Sequence, residues 1–141
     1  MIITVVCKAS KLTDLPDFEI TENYFKNISE TDYEFCLNVD QYYFVLGFIT
    51  ISSVPHFYVF SNTSPLEIEV QPAVLFDLDW QNIPNDWKIR VDKTYEIEML
   101  PKPLAEINHW FERYIDEEED VVKITHDLAH QMIKEYNLLN S

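Results

Sequence analysis

The residues whose types and spacing come closest to catalysis are His126-Asp127-Leu128-Ala129-His130. They have the H-E-x-x-H spacing, with Asp in place of Glu. On a helix, histidines at i and i+4 share a face and bind zinc, and the carboxylate between them acts as the base. Three physical points stand against that chemistry. Leu128 and Met132 define the apolar stripe of the segment, which sends His126 and His130 roughly to the opposite side. Asp is one methylene shorter than the usual base. His56 and His109, the remaining histidines, belong to other elements, so no third ligand is evident. We expect no catalytic metal, and His126 and His130 stand only as candidate ligands for adventitious metal.

Carboxylates supply the second pattern. Leu66-Glu67-Ile68-Glu69-Val70, Phe76-Asp77-Leu78-Asp79-Trp80 and Tyr95-Glu96-Ile97-Glu98-Met99 each alternate apolar with acidic residues. In a strand, period two sends the apolar residues to one face and the acids to the other. Trp87-Lys88-Ile89-Arg90-Val91 has the opposite sign. A hairpin through Asp92-Lys93-Thr94, with Val91 opposite Tyr95, would set Arg90 against Glu96 and Lys88 against Glu98. Glu67, Glu69, Asp77 and Asp79 have no such answer. A hairpin between their strands would oppose acid to acid, which costs stability. Either the strands are separated, or a cation from another protein meets them.

Two further features join this acidic set. Asp116, Glu117, Glu118, Glu119 and Asp120 are consecutive acids. A structural reading also covers them, with Asp120 as a helix N-cap. Trp80 and Trp87 flank a polar loop ending in Asp86, and tryptophan is enriched at interfaces. The candidate partner-binding residues are therefore Glu67, Glu69, Asp77, Asp79, Trp80, Asp86, Trp87 and Asp116 through Asp120.

Composition excludes several function classes. The chain has one glycine, Gly47, among 141 residues. Dinucleotide fingerprints, P-loops and nucleophile elbows each need several glycines. Cys7 and Cys36 lie in apolar runs and read as buried free thiols, not activated nucleophiles. No Ser/His/Asp or EF-hand pattern occurs, and with 25 acids in the chain, carboxylate pairs arise by coincidence. We expect no enzyme and no cofactor. A net charge of −15 repels nucleic acid and anionic lipid and attracts basic proteins.

The elements that must position these residues centre on 41–61, a stretch without Asp, Glu, Lys or Arg. Ser52, Ser53, Pro55 and His56 divide it, so two buried strands (Tyr42–Ile51 and His56–Ser61) fit better than a membrane span. Further strands are expected at Ile2–Cys7, Tyr33–Val39 and the alternating segments. A short helix is expected at Glu22–Ile28. Leu104, Ile107, Phe111 and Ile115 mark one C-terminal helix, and Val121 through Leu139 a second. The expected fold class is α+β: one domain over residues 1–141, with a mostly antiparallel sheet of six or seven strands and two C-terminal helices on one face. The N-terminus has no basic n-region and no long apolar core, which makes the cytoplasm the expected location.

Small size, strong acidity, surface-directed acidic strands, loop tryptophans and no catalytic constellation together resemble one class of protein. It is the small acidic immunity proteins that bacteria make against their own secreted toxins, including those of contact-dependent inhibition. The resemblance spans the whole chain and rests on no motif, so no residue role is carried over. It implies stoichiometric neutralisation of a basic, nuclease-like toxin by blocking its active site. The alternatives are a non-catalytic subunit or scaffold of a cytoplasmic complex, a nucleic-acid mimic, and last a metal-dependent enzyme.

Overall fold

The uncharged stretch forms the two central strands of the sheet. A computed structural model of the protein describes residues 2–15, 33–77 and 83–140, the side chains of residues 65 and 66 excepted. The strands are β1 (Thr4–Cys7), β2 (Tyr42–Ile51), β3 (Val54–Ser61), β4 (Ser64–Pro72), β5 (Phe76–Asp77), β6 (Trp87–Val91) and β7 (Ile97–Pro101). Helices follow: α1 (Lys102–Ala105), α2 (Trp110–Ile115) and α3 (Glu119–Leu139). The fold class is α+β, as expected, with seven strands paired antiparallel in one sheet.

Strand order is β4-β3-β2-β1-β5. β2 has a divided second edge: Tyr42–Phe44 pair with β1, while Phe48 and Ile49 pair with Met99 and Glu98 of β7. Between those two stretches the β2–β3 register skips Leu46, since Val45 faces Val59 and Gly47 faces Tyr58. Such a bulge reverses the alternation of side chains. Tyr43 and Val45 point into one core, with Val5, Cys7, Leu12, Leu37, Phe57 and Leu75. Phe44 and Leu46 point into the other, with Tyr58, Phe60, Leu100, Leu104, Trp110 and Ala129. After the bulge the parity changes, and Phe48 joins the first core while Ile49 joins the second. Among the described residues, α1, α2 and α3 pack on the second core.

The glycine sits where β7 meets β2. A Cβ on Gly47 would lie 2.7 Å from Leu100 Cδ2 and 2.9 Å from the Met99 carbonyl oxygen. No real Cβ lies that close to a main-chain oxygen, so only glycine lets the strands approach there.

Several expectations need correction. Tyr33–Val39 is not a strand. Its Phe35 N–H donates to the Ser10 carbonyl and its Asn38 N–H to the Tyr43 hydroxyl, so its hydrogen bonds go to a loop and a side chain. Tyr33 and Val39 are exposed, and Cys36, expected to be buried, is exposed as well. The β2–β3 turn is the two residues Ser52 and Ser53, both at positive φ (51° and 65°), so β3 starts two residues earlier than expected. The expected helix from Leu104 to Ile115 is two pieces, broken at His109 (φ 56°). α3 begins at Glu119 with Glu118 in the N-cap position, and Asp120 pairs with Arg113 instead of capping. The helix expected at Glu22–Ile28 lies outside the described residues. Among the described residues no helix is long and apolar enough to cross a membrane.

His56 is the buried titratable group of the central pair. It is 2% exposed, and its Nδ1 lies 2.9 Å from the Val54 carbonyl oxygen, which makes Nδ1 the donor. Burial lowers its pKa below the ordinary value, against the smaller opposing effect of that hydrogen bond. The unfolded chain then binds a proton near pH 6.5 that the folded chain refuses. Its contribution to stability is full above about pH 6.5 and declines as pH falls toward the lowered folded value.

Two predictions follow from this core. Gly47→Ala lowers stability by about 1–3 kcal/mol, read as a reduced urea midpoint with an unchanged slope. His56→Asn keeps an N–H near the Nδ1 position. Its urea midpoint should fall less than that of the parent protein between pH 6.5 and 5, values set by the ordinary histidine pKa of about 6.5. Parallel pH profiles would show that His56 does not carry the acid limb.

Candidate functional site

The six-residue helix α2 and the end of the β6–β7 hairpin border one cleft. Period two still governs the hairpin, but its register is two residues from the expected one. Val91 faces Ile97 and Arg90 faces Glu98, so the loop spans Asp92–Glu96. Asp92 closes that longer loop. Its Oδ1 accepts from the Thr94 N–H and hydroxyl and from the Glu96 N–H. The Thr94 hydroxyl is the largest of several effects that lower the Asp92 pKa. A shift of two keeps Arg90 on the same side of the hairpin as Glu96 and Glu98 while changing its partner.

Glu98 is the centre of the resulting cluster. It lies opposite Ile49 and faces the helices, not solvent. Arg90 pairs with it at 2.5 Å, and the Tyr58 hydroxyl donates to its other oxygen at 2.6 Å. Burial, then the hydrogen bond and the charge of Glu98, push the Tyr58 pKa far up, so the phenol stays protonated and donates. Glu96, expected to face Arg90, instead accepts from the Ser53 N–H at 3.0 Å and from the Thr50 hydroxyl. Thr50 in turn accepts from the Ile97 N–H.

Tyr58, Arg90, Asp92, Glu96 and Glu98 line one wall of a cleft of about 610 Å³. Ile49, Ile51 and Val70 supply apolar floor, and His109, Trp110, Phe111 and Glu112 of the α2 end supply the opposite wall. The rings of Tyr58, Trp110 and Phe111 meet edge to face or tilted, with centroids 4.9–5.4 Å apart. Trp110 is 1% exposed, and its Nε1–H has no hydrogen-bond partner.

The other end of α2 gathers part of the expected acidic set. The Tyr114 hydroxyl accepts from the Ile68 N–H of edge strand β4 at 3.4 Å. Burial raises the Tyr114 pKa, and the charge of nearby Glu67 adds to it. Asp116 through Asp120 follow directly. Arg113 binds Glu118 at 3.0 Å and Asp120 at 3.5 Å. Among the described residues no cation pairs with Glu67, Asp116, Glu117 or Glu119. Glu67 thus lies near Tyr114 of α2, and the acidic run continues the chain from the end of that helix.

The remaining candidates lie elsewhere. Glu69 accepts from the Gln71 side chain at 2.9 Å. Asp77 is on β5 and pairs with Lys8 at 3.7 Å, separated from β4 by three strands. Asp86 is exposed in the turn before β6, and Trp87 is half-buried against the first core. Asp79 and Trp80 lie outside the described residues. His126 is half-buried with its ring 6.0 Å from that of Tyr114, not opposite the core as expected, while His130 is exposed. Among the described residues no three His, Cys, Asp or Glu side chains converge as metal ligands.

Tyr58, His109, Trp110 and Glu112 carry the cleft, and reading the sequence alone does not single them out. One signal was available. A tyrosine inside an apolar strand needs a hydrogen-bond partner for its hydroxyl, and Glu98 is that partner. Comparison with protein-family models, curated proteins and solved structures found no significant match.

A double-mutant cycle tests the Glu98 cluster. Glu98→Ala strands the buried Tyr58 hydroxyl and should cost about 1–3 kcal/mol in urea denaturation. In a Tyr58→Phe background the same change should cost about 1 kcal/mol less, because no donor is left stranded. Additive costs would mean that the two residues are not coupled.

Proposed function

We propose that the protein is an acidic protein-binding module, and within that class a cytoplasmic immunity or inhibitor protein that captures a basic, nuclease-like toxin domain and covers its active site. The observation that carries this reading is a set of exposed carboxylates about α2 that no described cation answers: Glu67 near Tyr114, and Asp116, Glu117 and Glu119 just beyond the helix, with Arg113 already occupied by Glu118 and Asp120. Exposed carboxylates without cations of their own draw in a basic surface and speed its docking. A net charge of −15 extends that attraction beyond contact distance. A toxin has to be caught before it acts, and fast electrostatic capture suits that need.

On the β4 edge beside this surface, Tyr114 takes the Ile68 N–H that an incoming strand would use. Capture is therefore expected through side chains instead of strand addition at that edge.

Tagged protein is used to recover partners from the native host's lysate at low and then moderate salt, with identification by mass spectrometry. One basic protein held one-to-one as salt rises is the expected result. Reversing Glu67, Asp116, Glu117 and Glu119 to Lys should abolish its capture while the urea midpoint stays close to that of the parent. Undiminished affinity in that variant, or a crowd of basic proteins that wash off together, would overturn the reading.

A further inference from the structure

The cleft beside the N-terminal end of α2 has features that fold stability does not require. Its walls are apolar and aromatic, with Ile49, Val70 and Phe111 among them, while Asp92, Glu96 and Glu112 line it with carboxylates. The cation there, Arg90, is engaged with Glu98 at 2.5 Å. A volume of about 610 Å³ lies within the usual range for ligand cavities, roughly 300–1,000 Å³.

The charge of the lining points to a cationic occupant: three carboxylates border an apolar cleft whose arginine is already engaged by Glu98. Trp110 forms part of the wall, and its buried Nε1–H has no acceptor. His109, beside it, holds a left-handed backbone at φ 56°. Non-glycine residues avoid that region, and such strain collects at binding sites.

We propose that this cleft is the socket for one arginine side chain of the basic partner. The stem of the arginine lies along Ile49, Val70 and Phe111, and its guanidinium meets the carboxylates of Glu96 and Glu112. Arginine suits the site better than lysine because its planar head stacks on aromatic rings while donating to carboxylates in a fork. The long stem covers apolar wall while the charge stays at the rim. The cleft and the acidic corner flank the same helix, so one basic surface can reach both.

This inference rests on the reading of the protein as a binder of a basic partner, but its test is separate. Nα-acetyl-arginine amide is titrated into isotope-labelled protein, and the indole Nε1–H resonance of Trp110 is followed. The neutral isostere Nα-acetyl-citrulline amide serves as the control. A saturable shift with the arginine probe is expected, at least about tenfold weaker with citrulline, and weakened about as much by Glu112→Gln. Glu112 is exposed, so that variant keeps the fold. Equal binding of both probes, or an unmoved Trp110 resonance, would overturn the socket. If a partner is captured while Trp110 ignores the arginine probe, the socket falls and the capture reading stands. If the probe binds at Trp110 and no partner is captured, the capture reading falls and the site remains an arginine socket.

Discussion

The close approach of β7 to β2 at Gly47 is the contact on which the rest of the structure depends. β7 is held to the central sheet by two residue pairs, Phe48 with Met99 and Ile49 with Glu98. It carries β6 on its other edge, and α1 begins at the residue after it. Leu100 reaches the second core beside Gly47, and Leu104 follows it there from α1. Any side chain at position 47 would push β7 outward. That would loosen the anchoring of the helices and withdraw Glu98 from beneath Tyr58. One missing Cβ therefore supports both the packing of the helical layer and the geometry of the cleft.

The electrostatics follow from that placement. An acid on an alternating strand would ordinarily face water, but β7 turns Glu98 inward, where it is tolerable only when answered. Arg90 supplies the charge and Tyr58 the hydrogen bond. The neighbouring acids are handled differently. Glu96 and Asp92 are oriented by neutral donors, which fix a carboxylate without cancelling it. The negative potential of the cleft is therefore held in a rigid frame. At the opposite end of α2, Arg113 offsets two acids of the consecutive run and leaves the others exposed.

The sequence disclosed faces more readily than partners. The central pair was legible because charged residues are absent from 41–61, and burial on both faces follows from that alone. The β6–β7 hairpin was legible as a hairpin, and its charged residues were placed on one shared side, but the reading sent that side to solvent whereas Glu98 faces the helices. Its register was not, because period two is unchanged by a slip of two and the Asp92 loop closes with five residues as well as three. Tyr33–Val39 misled for a related reason. Tyr33 and Phe35 alternate because their rings pack on each other, 4.9 Å between centroids, not because they line a sheet. The break at His109 had no warning, since neither glycine nor proline marks it. The cleft joins Tyr58, Glu98 and Trp110, which are far apart in the chain and meet only through strand order.

The divided edge of β2 also has a consequence for how the chain is made. As the polypeptide leaves the ribosome, β1, β2 and β3 can pair as soon as they emerge. The half-edge at Phe48 and Ile49 stays open until residues 97–101 appear, about fifty residues later in the chain. The aromatic surface that α2 and α3 cover stays bare longer still. For that interval the nascent sheet shows an unpaired strand beside a greasy face, the combination that favours association with other chains. Production of this protein is therefore most vulnerable in its final third, and chains cut short before β7 are the ones that a cell's chaperones would have to retain.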